Sequence, residues 1–165
     1  MTKRKDIVLD TRDRRILEIL QRDAMAPVAD IAERVGLTTT PCWRRIQRME
    51  KDGVIRGRVA LLDPVALNVP VSVFVAVRTS HHSASWVERF RRAVDSIPEI
   101  VEAYRMSGEI DYLLRVVVPD IAGYDAVYQR LIAEIELADV TSSFSMEELK
   151  HTTALPLEHV RRTES

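Results

Sequence analysis

Residues 37–51, LTTTPCWRRIQRMEK, gather side chains that can meet a polyanion. Thr39 and Thr40 offer hydroxyls to phosphates or base edges. Arg44, Arg45, Arg48 and Lys51 can neutralise phosphates, and an arginine can take a guanine edge with two parallel hydrogen bonds. The same stretch holds the chain's single cysteine. Cys42, Ile46 and Met49 recur at i, i+4 and i+7, which is one helical face, and that face is apolar. Cys42 therefore reads as a small packing residue, because a reactive thiol needs an exposed, electropositive setting. Further along, Ser107-Gly108-Glu109-Ile110-Asp111 separates two strand-like runs. Taken alone it is a hairpin turn that needs a glycine with positive φ. His81 and His82 lack the two further ligands a zinc site would need and read as a solvated loop.

These residues need elements to hold them. Asp13 is the expected cap of a helix whose stripe is Ile16, Leu17, Ile19 and Leu20. Pro27 opens a second helix with Ile31, Ala32 and Val35 inward, and Gly36 stops it. Thr38, Thr39 and Thr40 are candidate caps for a third helix, in which Pro41 is tolerated in the first turn. That helix runs to about Asp52 and ends at Gly53. Residues 54–62, VIRGRVALL, are expected to form two short strands around Gly57, the wing of a winged helix. Helix, glycine turn, helix is the helix-turn-helix pattern, which lays its last helix in the major groove. A plain three-helix bundle with a solvated basic face fits the same spacing.

DPVALNVP, residues 63–70, reads as a linker. Beyond it, Val71–Val77 is strand-like, and Trp86–Val94 is helical. Residues 100–106 and 112–118 are strand-like, Ile121–Ile135 is helical, and 140–146 give a last strand. The order β-α-β-β-α-β is the ferredoxin-like arrangement. The expected fold class is α+β. A winged helix-turn-helix covers residues 1–62, a linker 63–70 and a ferredoxin-like domain 71–165.

Charge supports two modules. Residues 1–60 carry 14 Lys/Arg and 9 Asp/Glu, a balance of +5, and the remainder carries −6, within a net charge of −1. No apolar run approaches the roughly 18 residues of a membrane span. The basic start MTKRKD is followed by no apolar signal core. One cysteine makes no internal disulfide and no metal cluster. A cytoplasmic protein without membrane association, metal or cofactor is the expectation. No nucleophile–base pair, phosphate loop or metal spacing marks an enzyme. An RNA-recognition module would carry aromatics on its central strands, and EIVEAYRM and YLLRVVV have no such motif.

LDTRDRRILEILQRDA, IAERVGL, TTTPCWRRIQRMEKDGVIRG and ALLDP, in that order, resemble the DNA-binding half of the Lrp/AsnC family of bacterial regulators. MSGEIDYLLRVVVPD and SSFSMEELK resemble its amino-acid-sensing half. The resemblance covers roughly residues 9–157. TTTPCWRR, HHSASW and VTSSFSMEELKHTTALPL most resemble the cysteine-responsive, DecR-like branch. The resemblance implies a recognition helix carrying Thr39, Thr40, Arg44, Arg45 and Arg48. It also implies a small amino-acid effector, with L-cysteine the first candidate, at contacts between dimers. Ser107, Gly108, Glu109, Ile110, Asp111 and Ser142 would then contact it, Asp111 pairing with the α-ammonium. Met106 and Tyr112 flank the turn and fit either that pocket or the core. Dimers through the sheets, assembling to an octamer, and a double-stranded DNA operator complete the implication. Two departures stand out: Val140 where many relatives have threonine, and Ile135-Glu136 where many have Pro-Gly, which would let the helix run on. A DNA-organising protein of the same fold that ignores amino acids is the alternative.

Overall fold

The computed structural model describes residues 7–81 and 83–160, so MTKRKD, His82 and the last five residues, RRTES, lie outside it. Its contacts group into two units, residues 62–149 and the remainder.

The first unit is built on three helices, α1 (Thr11–Leu20), α2 (Val28–Val35) and α3 (Thr39–Lys51). Asp10, not Asp13, caps α1. Its carboxylate accepts the Asp13 N–H, while the Asp13 carboxylate accepts the Asp10 N–H, a reciprocal capping box. The cap falls three residues early because Asp13 is needed inside the first turn. Gly36 ends α2 in the left-handed region (φ 68°), and Leu37 N–H closes the turn on Ala32 C=O. Thr38 is the N-cap residue of α3, but its side chain makes no capping bond. The core joins Leu9, Ile16, Leu17, Ile19, Ile31, Ala32, Val35, Cys42, Ile46 and Met49.

The two expected wing strands are not formed: residues 56–63 have no ladder. Val59, Leu61 and Leu62 are exposed, so no apolar partner holds a hairpin there. Arg58 instead ties the segment back, donating to Glu50 on α3. Residues 150–160 were expected in the second domain, but their contacts go to the first unit. Gln21 exchanges hydrogen bonds with Leu155, and Leu157 and Val160 pack on the helical core. Apolar side chains there find their burial on α1–α3, which the linear order does not reveal.

The second unit has the expected β-α-β-β-α-β order: β1 (Val71–Arg78), α4 (Ala84–Ser96), β2 (Ile100–Arg105), β3 (Tyr112–Val118), α5 (Ile121–Glu134) and β4 (Asp139–Phe144). The strand order is β2-β3-β1-β4, antiparallel throughout. Ser83 and Asp120 cap the two helices through Trp86 N–H and Gly123 N–H. One sheet face, with Val73, Val75, Val77, Leu114 and Val116, packs on Trp86, Phe90, Val127 and Leu131. Tyr112 joins this core, its ring 4.3 Å from that of Phe90, whereas Met106 is exposed. Residues 63–70 form a hydrogen-bonded turn through Asp63 and Pro64 carbonyls, grouped with this unit. The helix does not run on past Ile135. That residue is extended and buried, and the Trp86 indole N–H donates to Glu136 C=O, pulling the chain off the helix axis.

Candidate nucleic-acid interface and effector turn

Helix α3 carries the first site. Cys42, Ile46 and Met49 are fully buried, so the opposite face points outward. At about 100° per residue, that outward face holds Thr40, Arg44, Gln47 and Lys51, all exposed. Thr39 is exposed at the first position of the helix. Trp43 lies on one flank, half-exposed (50%), although an aromatic ring that size is normally covered. Trp43 and Gln47 were not among the candidates read from the sequence. Gln47 was legible as i+7 from Thr40, and glutamine can take an adenine edge.

Arg45 and Arg48 point to the other flank, toward α1. Arg45 Nη1 lies 2.6 Å from Asp10 and 2.8 Å from Asp13, and Arg48 Nη2 lies 2.5 Å from Asp13. Asp13 is 1% exposed. The expected group of arginines is therefore split. Arg44 makes no ion pair among the described residues, while Arg45 is committed to two carboxylates and Arg48 to one. Burial raises the Asp10 carboxyl, but the Asp13 N–H and the Arg45 guanidinium outweigh it and hold it below the usual range. Burial pushes the Cys42 thiol up, against a smaller opposing pull from Arg45. The thiol is thus kept neutral, as a packing role requires.

The turn Ser107–Asp111 carries the second site. Met106 N–H donates to Asp111 C=O, and Asp111 N–H donates to Val77 C=O. Gly108 has φ 127°, which only glycine adopts without strain. Ser107, Gly108 and Glu109 are exposed, and Ile110 and Asp111 are half-buried. Arg78 Nε donates to Glu109 C=O at 2.7 Å, and Asp111 Oδ2 accepts the Thr79 N–H at 2.8 Å. Ser142 pairs with Val75 across the sheet, and its hydroxyl is hydrogen-bonded to Tyr124 OH. Among the described residues no hydrogen bond joins Ser142 to the turn. The two parts of the expected effector site therefore belong to one sheet but are not hydrogen-bonded to each other among the described residues.

Three helices with an exposed basic face and a ferredoxin-like sheet with a glycine turn thus make up the two units. Residues 9–56 match a winged helix-turn-helix DNA-binding domain, and residues 72–155 match the Lrp/AsnC ligand binding domain. The chain belongs to the Lrp/AsnC family. It is 48% identical over 149 residues to the glutamate uptake regulatory protein of Zymomonas mobilis (90% of this chain, 91% of the other). It is also 48% identical over 152 residues to the DNA-binding transcriptional activator DecR of Escherichia coli (92% and 100%). An AsnC family transcriptional regulator from Agrobacterium tumefaciens superposes with TM-score 0.88 at 64% identity (90% and 97%). A Neisseria meningitidis regulator solved as an L-Met complex superposes with TM-score 0.87 at 34% identity (92% and 99%). The chain is a transcriptional regulator of that family. No helix among the described residues is long and apolar enough to cross a membrane.

Proposed function

We propose that this regulator reads a double-stranded DNA operator with α3 and changes its assembly or operator affinity on binding a small amino acid, L-cysteine being the first candidate. The observation that carries the DNA half is the outward face of α3. Thr40, Arg44, Gln47 and Lys51 oppose the buried Cys42, Ile46 and Met49. Thr39 and Thr40, at the helix start, reach base edges or phosphates, and Lys51, about 18 Å further along the axis, takes a phosphate. Arg44→Ala is expected to cost about 1–3 kcal/mol on the selected operator and to relax preference at one base position. A uniform loss across all sequences would make Arg44 a phosphate contact instead.

The effector half rests on the ligand-binding family match and on the turn Ser107–Asp111, with Ser142 as a further contact. The resemblance of TTTPCWRR, HHSASW and VTSSFSMEELKHTTALPL to the cysteine-responsive branch puts L-cysteine first, while the glutamate uptake regulator and the L-Met complex among the relatives favour other amino acids. Exposed N–H groups around Gly108 suit a carboxylate, and one Asp111 oxygen suits an ammonium. The working assembly is a homodimer through the sheets that builds to an octamer. One observation favours an effector-independent DNA-organising protein: Asp111 and Ser142 already hold internal partners. Asp111→Asn keeps an acceptor for Thr79 N–H while removing the charge. It is expected to abolish the amino-acid response and to leave DNA binding without effector unchanged. A retained response removes Asp111 from the site.

A further inference from the structure

The four charged groups between α1 and α3 form a closed set. Asp13 spends one oxygen on Arg45 and the other on Arg48 and the Asp10 N–H. Asp10 spends one oxygen on Arg45 and the other on the Asp13 N–H. Two carboxylates and two guanidiniums cancel. Were Arg45 to turn toward a phosphate, it would leave a buried carboxylate short of its partner, which is costly. Arg44, one residue away, has no such tie among the described residues.

We propose that Asp13, assisted by Asp10, is a positioning residue for DNA recognition. It withdraws Arg45, and one edge of Arg48, from the phosphate backbone, so that Arg44 is the guanidinium of that turn presented to the duplex. The device trades non-specific attraction for selectivity. Each free cation adds sequence-blind affinity through counterion release, and a neutralised one does not. The charge balance of +5 over residues 1–60 thus overstates what DNA meets. This inference rests on α3 being the reading helix.

The test is the slope of log affinity against log salt, measured by fluorescence anisotropy with the full chain. Two duplexes are used, one selected from a randomised pool and one unrelated. On the unrelated duplex, where Arg44 has no base to read and acts only as a free cation, Arg44→Gln is expected to reduce the slope by about one, and Arg45→Gln to leave it unchanged. Asp13→Asn is expected to steepen the slope on the unrelated duplex by about one to two and to lower the selected-to-unrelated ratio by about an order of magnitude. A folded Asp13→Asn with the wild-type slope and ratio would reduce the cluster to a structural tie and overturn the proposal. An Arg45→Gln loss equal to that of Arg44→Gln would overturn it too, and this arm decides if Asp13→Asn does not fold. No loss for either arginine would instead remove α3 as the reading helix, and the proposal with it.

Discussion

Cys42 has no exposed surface and sits against Ile46 and Met49, with its thiol pushed up by burial. Nothing at that position can meet an effector or an oxidant without opening the helical core. Cys42→Ser would place a hydroxyl where the thiol packs, and is expected to cost about 1–3 kcal/mol in denaturant unfolding. The folded variant should keep its DNA affinity and its effector response. A lost response at unchanged stability would make the thiol part of sensing. The packing role was legible because i, i+4, i+7 spacing is a local signal. The tie on Arg45 was not, since its carboxylates lie 32 and 35 residues earlier and pair with it only after α1 folds beside α3. Likewise Asp111 looked free in SGEID, yet it accepts Thr79 N–H from a residue 32 positions away.

Ion pairs also join elements, and these make an acid-sensitive pair of tethers. Asp10 links α1 to α3 through Arg45, and Glu99, just before β2, links to α5 through Arg130 at 2.6 Å. The Arg130 hydrogen bond, outweighing burial, holds the Glu99 carboxyl below its usual range, as the balance described above does for Asp10. Both groups therefore bind protons less readily in the folded chain than in the unfolded one. Their stabilisation is complete above the unfolded carboxylate range, about pH 4, and fades as pH falls through the lower folded values. Thermal unfolding between pH 6 and pH 2 should show a falling midpoint below about pH 4, and Asp10→Asn should make that fall shallower. An identical fall in the variant would contradict the assignment. At this scale the sequence was most readable: helices bounded by Gly36 and Gly53, and β-α-β-β-α-β from alternating periods, were all recoverable from local pattern. The wing failed because Val54 and Ile55 pack on the helical core while Val59, Leu61 and Leu62 stay exposed, which leaves VIRGRVALL no shared apolar face to hold a hairpin. The end of α5 was legible to within one residue from the periodicity up to Ile135, but the run-on expected from Ile135-Glu136 is stopped by Trp86 reaching Glu136, fifty positions apart.

For the whole molecule, one sheet face is covered by α4 and α5, while Phe74 and Tyr104 on the strands are 41% and 52% exposed. Arg115 and Glu102 pair at 2.7 Å between them. The proposed sheet-to-sheet dimer would cover these rings. Phe74→Asp, which adds a charge to that face without touching the inner core, is expected to lower the sedimentation mass toward the single chain. An unchanged mass would place the dimer contact elsewhere. Residues 150–160, which pack on the helical unit, could not be assigned from linear order, because long-range burial of Leu157 and Val160 and the Gln21–Leu155 hydrogen bonds fix them there. We propose that one chain couples amino-acid binding to DNA binding. Coupling of this kind is typically about 1–3 kcal/mol, or roughly 5- to 150-fold in affinity. The most direct test titrates the selected duplex with the full chain, alone and with each of the twenty amino acids at millimolar concentration, L-cysteine first. At least one is predicted to change the Kd within that range, and Asp111→Asn to erase the change. An identical Kd with all twenty would contradict the account and leave an effector-independent DNA-binding protein.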